Sequence, residues 1–173
     1  MPSRQIPALL KGRDQRSIGR SNEVVKLVLR VPRSFVELIQ CLWSDDPVVR
    51  MRAADAAEKV SAVKPELLKP WKVELLGLLA EAQQNELRWH LAQMVPRLRL
   101  NESERRRASE TLQLYLEDRS SIVRAFALQA LADNSRSDGV LRPRVREILE
   151  ESAATETAAM RARARKLLKE LKN

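Results

Sequence analysis

The strongest constraint on the fold is a pattern that recurs four times at intervals of about 37 residues. In each copy an apolar residue precedes an arginine, and these arginines are Arg50, Arg88, Arg124 and Arg161. Positions −1, +3, +6 and +7 from each arginine are apolar in all four copies, which is the spacing of one α-helical face. The sixteen positions are Val49, Ala53, Ala56, Ala57, Leu87, Leu91, Met94, Val95, Val123, Ala127, Ala130, Leu131, Met160, Ala164, Leu167 and Leu168. The repeat predicts four similar helices that each bury one face.

A second segment with helical apolar spacing precedes each of these four helices. The four segments are 34–43, 70–80, 108–116 and 141–150. Short polar turns follow the segments, and helix start signals agree with this division. Asp46 before Pro47 is typical of an N-cap followed by proline at the first helical position, and 101–104 has the pattern of a capping box. The sequence therefore predicts an all-α chain of four helical hairpins in series.

The unit resembles the HEAT repeat in its length and in an aspartate followed by Val-Arg and then alanine. These residues are 46–50 with Ala53 in the first unit, and 118–124 with Ala127 in the third. The second and fourth units lack the aspartate. The resemblance implies a right-handed α-α superhelix, or solenoid, of about four HEAT-like hairpins, in which the second helices line a concave surface that is commonly a binding surface. Tetratricopeptide repeats have a similar period, but their characteristic Trp, Gly, Tyr and Pro positions are not found.

Two regions follow from this division of the chain. Residues 1–20 contain two prolines, two glycines and five basic residues, a composition that predicts a flexible basic arm. Residues 21–173 are predicted to form the repeat domain. Its parts are a leading helix at 21–33 and repeats at about 34–62, 64–99, 101–134 and 140–172.

The net charge of +9 is concentrated at the two ends of the chain. Residues 1–33 carry eight Lys and Arg against two acidic residues, and 157–173 carry six against one. The middle, 34–156, carries 18 basic and 20 acidic residues. A nucleic-acid partner is therefore expected only at the terminal segments, if at all.

The scarcity of cysteine and histidine limits the chemistry that the chain could perform. Cys41 is the only cysteine and His90 the only histidine, which excludes an internal disulfide and a Cys or His metal cluster. We expect no metal and no cofactor. The sequence has no segment typical of a signal peptide or a membrane span, so we expect a cytoplasmic protein with no membrane partner.

Positions +2 and +5 from each repeat arginine lie off the apolar stripe, so we expect their side chains to face solvent and to form a ridge on the concave surface. The candidate binding residues are Arg52, His90, Phe126 and Arg163 at +2, Asp55, Gln93, Gln129 and Lys166 at +5, and Trp89 beside His90. No spacing in the chain suggests an orienting partner for His90 or a nucleophile beside it. We therefore predict no catalytic residues and a protein that is not an enzyme.

The repeat arginines themselves have a structural interpretation that the HEAT resemblance implies. In that family the arginine commonly pairs with an acidic residue of the preceding turn. The nearest candidates are Asp46 for Arg50 and Asp118 for Arg124. Contact with phosphate groups is the alternative for these arginines and for Arg88 and Arg161.

Two functional hypotheses follow. The first is a non-enzymatic scaffold or binding module, monomeric or weakly dimeric, that presents its concave ridge to a protein partner. The second is nucleic-acid binding through the arm and the helix at 160–172, although that helix could instead be a capping helix with a polar outer face. A minor variant is the activity of the HEAT-like DNA glycosylases, with Asp55 and Trp89 as counterparts. Related repeats also occur in lyase or chaperone subunits that act on tetrapyrrole-bearing proteins, but no residue of this sequence favours that role.

Overall fold

The computed structural model describes residues 5–172, and all regular structure in that range is helical. The α-helices are α1 Gln5–Leu10, α2 Ser21–Arg30, α3 Phe35–Gln40, α4 Pro47–Val63, α5 Lys72–Glu81, α6 Asn85–Met94, α7 Glu102–Tyr115, α8 Ser121–Ser135, α9 Leu141–Thr155 and α10 Ala158–Glu170. No strand occurs between residues 5 and 172. The predicted all-α class is confirmed.

Short 3-10 segments connect several of these helices. They lie at Pro32–Ser34, Cys41–Trp43, Pro65–Trp71 and Val95–Arg97. Proline lies in the first turn of three of them, where its missing N–H is tolerated. The two segments of each predicted hairpin are both helical and contact one another: α3 with α4, α5 with α6, α7 with α8, and α9 with α10.

The chain divides into two compact units, 1–98 and 99–173. In the first unit α4 is the central helix, because α1, α2, α3 and α6 all contact it. In the second unit α8 has the same place and contacts α7, α9 and α10. The longest second helix in each unit, α4 or α8, therefore lies at the centre of that unit.

The predicted apolar stripe forms the core of both units. Fifteen of its sixteen positions are buried, and Leu168 is half-buried. Burial of a Val, Leu or Met side chain contributes roughly 1.5–3 kcal/mol relative to exposure, so these stripes drive helix packing. The buried stripe confirms the periodicity that was predicted from the sequence.

The two predicted helix starts are also confirmed. Asp46 Oδ1 accepts a hydrogen bond from the Val48 N–H at 2.9 Å, which caps α4. At the start of α7 the Asn101 side chain accepts from the Glu104 N–H and the Glu104 side chain accepts from the Asn101 N–H, both at 2.8 Å. These bonds satisfy N–H groups that have no partner within the helix.

The expectation of a flexible arm is wrong for residues 5–20. Ile6 and Leu10 are fully buried, because α1 places them one turn apart on the face that contacts α2, α3 and α4. Residues 1–4 of the predicted arm lie outside the described residues. The first unit thus has a layer before α3 that includes α1 as well as the predicted leading helix.

Arg52 on α4 holds this N-terminal segment in place. Its side chain is buried, with 4 % exposure. The guanidinium donates to four carbonyl oxygens of the segment: Nε to Ser17 at 3.0 Å, Nη1 to Leu10 at 3.1 Å and Lys11 at 2.8 Å, and Nη2 to Asp14 at 3.1 Å. Hydrogen bonds to a charged donor contribute about 1.5–3 kcal/mol each when buried. The loop after α1 therefore folds around the side chain of Arg52.

Two glycines allow this loop to approach the guanidinium. A Cβ at Gly12 would lie 2.4 Å from Arg52 Nη1, and one at Gly19 would lie 2.6 Å from Arg52 Cζ. Gly19 also has a φ of +53°, in the left-handed region that side chains with a Cβ rarely adopt. Both positions require glycine because a larger residue would displace the guanidinium.

We expect Gly19→Ala to lower the free energy of unfolding by at least about 1–2 kcal/mol, because it combines left-handed backbone strain with a clash against Arg52. The matched control is Gly77→Ala on α5, where an added Cβ meets nothing within 4 Å. That control should raise stability by about 0.5–1 kcal/mol, because alanine favours helix over glycine. Urea unfolding of both variants measures the difference, and equal effects would show that the loop does not depend on Gly19.

Candidate functional site

The nine predicted binding residues are divided between the two units. Arg52, Asp55, Trp89, His90 and Gln93 belong to the first unit, and Phe126, Gln129, Arg163 and Lys166 belong to the second. The prediction that these side chains are exposed fails most clearly for Arg52 and Asp55, which are 4 % and 8 % exposed. The N-terminal layer of the first unit covers both of them.

Asp55 is part of a buried polar cluster rather than a free binding residue. Its Oδ2 accepts hydrogen bonds from the Ser21 hydroxyl at 2.5 Å and from Lys59 Nζ at 2.8 Å. Lys59 Nζ also donates to Asn22 Oδ1 at 3.0 Å. The cluster joins the start of α2 to the middle of α4. Asp55 therefore stabilises the first unit.

His90 lies on α6 and has an unsatisfied ring nitrogen. The ring is half-buried, and its Nδ1 is enclosed without a hydrogen-bond partner among the described residues. Burial lowers the pKa of His90 below its usual 6.5, although the negative charges of Asp55 and Glu58 act in the opposite direction. The ring is consequently neutral at pH 7, with one nitrogen as donor and the other as acceptor.

Trp89 and Gln93 extend the surface around His90, and we call these three residues the α6 surface. The rings of Trp89 and His90 are 5.7 Å apart and tilted by 54°. Gln93 Nε2 donates to the Trp89 carbonyl at 3.3 Å. All three residues are half-buried. The α6 surface therefore offers an aromatic face, a neutral imidazole and an amide, which suit apolar contact and hydrogen bonding.

The predicted residues of the second unit form local pairs. Arg163 on α10 lies over the ring of Phe126 on α8, with Cζ 5.5 Å from the ring centroid. This cation–π contact joins two helices and contributes about 0.5–1 kcal/mol at a partly exposed site. Gln129 Nε2 donates to Asp133 Oδ1 at 3.2 Å. Lys166 is exposed, with its Nζ 3.9 Å from a carboxylate oxygen one helical turn away on α10.

Three of the four repeat arginines, Arg50, Arg88 and Arg124, bind the main chain of the turn that precedes their helix. Arg50 Nη1 donates to the carbonyl oxygens of Ser44 at 2.7 Å and Asp45 at 3.2 Å. Arg124 Nη1 repeats this geometry six and five residues upstream, at 2.8 and 3.2 Å. Arg88 Nε donates to the carbonyl six residues upstream at 2.7 Å. The arginines thus satisfy carbonyl groups near the end of the preceding helix, which lack helical partners.

We expected these arginines to pair with the carboxylates of Asp46 and Asp118. Arg50 and Arg124 instead donate to main-chain carbonyl oxygens of the same turns. Asp46 Oδ1 caps its own helix. Arg124 binds the carbonyl oxygen of Asp118, whose Oδ1 accepts from the Ser120 N–H at 2.8 Å. The carboxylates organise the turn, and the arginine then closes it.

A residue that the sequence pattern did not single out links two successive hairpins. Gln84, the residue before α6, accepts from Arg50 Nε at 3.1 Å and donates from Nε2 to the Pro47 carbonyl at 2.9 Å. In the second unit Glu156 has a similar place before α10, with Oε2 3.9 Å from Arg124 Nε. Position 84 could have been noticed because it follows the turn at the same point in its repeat as Asp46.

The comparisons with known proteins leave the family open. No family model matches the chain, and no curated protein shows significant similarity to it.

Within residues 5–172 no helix combines the length and the apolar character needed to cross a membrane. The same residues contain no group of three or more His, Cys, Asp or Glu side chains placed to hold a metal ion.

The lowered pKa of His90 predicts a pH dependence of stability. Because the folded state binds this proton less readily than the unfolded state, acidification below about pH 6.5 should favour unfolding, with the contribution levelling off above that pH. The free energy of unfolding, measured by urea titration at several pH values, should rise from acid to neutral pH. In His90→Gln this rise should be smaller, and an unchanged pH profile would contradict the burial of the ring.

Proposed function

We propose that this chain is a HEAT-like right-handed solenoid that acts as a non-enzymatic binding module in the cytoplasm. The four contacting helix pairs, the buried stripe and the recurring arginine contacts support this interpretation. The buried free thiol of Cys41 is compatible with a reducing environment. We infer that the chain binds a protein partner through the α6 surface.

The observation that carries this proposal is the enclosed Nδ1 of His90. A buried polar atom without a hydrogen bond costs about 1–3 kcal/mol, and most such atoms in folded proteins are paired. A rotation of the half-buried ring that brings Nδ1 to a donor of the partner would remove this cost. Trp89 beside it supplies the kind of large, partly exposed aromatic surface that dominates many protein interfaces.

The charges around His90 favour a protein over a phosphate-bearing partner. The side chains that act electrostatically on its ring include three carboxylates and one ammonium group: Asp55, Glu58, Glu86 and Lys59. Asp55 pairs with Lys59, and Glu58 pairs with Arg97. These four side chains around the ring therefore include no unpaired cation to attract phosphate groups, and they tolerate amide, hydroxyl and cationic donors. A partner with a donor for His90 and an apolar group for Trp89 fits this surface.

We expect Trp89→Ala and His90→Ala each to weaken capture of the partner at least about tenfold, because both remove groups at the centre of the docking surface. Trp43→Ala is the matched control, since Trp43 is an exposed tryptophan of the same unit, 44 % accessible, and is not part of the α6 surface. Quantitative affinity capture from cells, with the chain and its variants as bait, measures this. A protein retained by the control and lost by both α6 variants supports the proposal. Equal retention by all three variants places the docking surface elsewhere.

A second candidate function is nucleic-acid binding through α10. Arg161, Arg165 and Lys169 recur every four residues, so they lie about 6 Å apart along one face of the helix. None of the three makes an ion pair within residues 5–172, and Arg165 and Lys169 are exposed. The apolar face of α10 is used against α8 and α9. The cationic face is thus open to phosphate groups.

Replacement of Arg165 and Lys169 by alanine should weaken binding of a short fluorescent duplex. If three phosphates are contacted, log K should fall against log salt concentration with a slope near −2.7, and the double variant should reduce that magnitude by about 1.8. The control is Arg144→Ala with Arg146→Ala, which removes the same charge from two arginines that have carboxylate neighbours at 3.1 and 3.7 Å. Equal slopes for both double variants would reduce the effect to net charge.

A further inference from the structure

A groove in the first unit lies away from the α6 surface. It has a volume of about 1290 Å³ and is lined by residues from α1 to the start of α4. Much of the lining is aliphatic, including Leu27, Val31 and Val49. Val36 also lines it and is 48 % exposed.

The groove contains a second unsatisfied polar atom. Glu37 lines it, and Oε1 of Glu37 is enclosed without a hydrogen-bond partner among the described residues. An enclosed carboxyl oxygen without a donor is costly, and more so when it is charged. Lys11 and Arg33 line the same groove, but neither forms an ion pair with Glu37, and both are exposed to water. The half-buried carboxylate of Glu37 therefore lies at an apolar wall without an ion-pair partner in the part of the chain that the structure describes.

The thiol in the groove does not suggest covalent chemistry. Cys41 lines the wall, and its Sγ donates to the Glu37 carbonyl at 3.3 Å. Burial, and then the charge of Glu37, raises the pKa of this thiol to about 11. The thiol is consequently uncharged at neutral pH and a poor nucleophile. The groove is suited to binding.

The size of the groove favours a peptide. Pockets for small molecules usually have volumes of about 300–1000 Å³, and this groove is larger. An arginine or lysine side chain has an aliphatic stem and a cationic end. The stem matches the aliphatic wall, and the cationic end is complementary in charge to the carboxylate of Glu37, which is half-buried and not wholly enclosed. The exposed charges of Lys11 and Arg33 are screened by water and oppose such a ligand much less than an enclosed charge would.

We propose that this groove binds a peptide segment of a partner protein that presents one basic side chain to Glu37 between apolar residues that pack on Val36 and Val49. The site is separate from the α6 surface, so it does not depend on the function proposed above. A chain with both sites could hold two segments of one partner or two different partners.

The test uses two matched mixtures of nonapeptides with flanks randomised over Ala, Val, Ile and Leu. One mixture has a central arginine, and the other has citrulline, which has nearly the same shape but no charge. Binding is followed by the backbone amide signals of Glu37, Gln40 and Cys41 in the full chain. We expect the arginine mixture to shift these signals, and the citrulline mixture to need at least a tenfold higher concentration for the same shift.

Two variants assign the effect to the groove. Glu37→Gln keeps the shape of the side chain and should abolish the preference for arginine over citrulline. Glu66→Gln makes the same change at an exposed glutamate outside the groove and should leave the preference intact. Trp89→Ala should also leave it intact, which separates this site from the α6 surface. Absence of binding by the arginine mixture, or an equal response to both mixtures, would overturn the proposal.

Discussion

The guanidinium of Arg52 is the group around which the first unit is assembled. It replaces water at four carbonyl oxygens of the N-terminal segment, and its burial would be very unfavourable without them. The loop after α1 lies so close to this guanidinium that glycine is required at Gly12 and Gly19, and the same contacts bring Ile6 and Leu10 into the core. The N-terminal segment and α2 then cover Asp55 and leave the half-buried residues of α6 as the accessible part of the predicted ridge in the first unit. The position of the candidate site therefore follows from one charged side chain at the centre of α4.

The structural residues of this chain and the candidate binding residues differ in whether their polar atoms have hydrogen-bond partners. Hydrogen-bond partners are present for Asp55, the cap residues and three repeat arginines, Arg50, Arg88 and Arg124. Three enclosed side-chain atoms have none among the described residues: His90 Nδ1, Glu37 Oε1 and Asp138 Oδ2, of which Asp138 Oδ2 lies 3.6 Å from Arg105 Nη1. Since a folded chain normally pairs such atoms, His90 and Glu37, which also form no ion pair within residues 5–172, are the residues on which the two proposed binding sites rest.

The sequence was sufficient to predict the helices from α2 onward, but not α1 or the N-terminal layer that covers α4. A stripe of apolar residues predicts burial because helical spacing and hydrophobicity act locally, and that prediction was confirmed. The burial of Arg52 was not predictable in this way, because its partners are backbone carbonyls, which every residue possesses. Only Gly12 and Gly19 hinted at a close approach. Position +2 was expected to face solvent in every repeat, but His90, Phe126 and Arg163 are half-buried, so this prediction held only in part.

The two-way contact between Arg50 and Gln84 has a consequence for how such chains can vary in length. Arg50 binds both its own turn and the residue before the next second helix, while Gln84 returns a bond to Pro47. An added or deleted residue in the turn before α4 or in the turn before α6 would break these contacts, because it would displace one of the groups that make them. The connection from α4 to α5, through Pro65–Trp71, takes no part in these contacts. Natural insertions in relatives of this chain should therefore accumulate between hairpins and be rare within them.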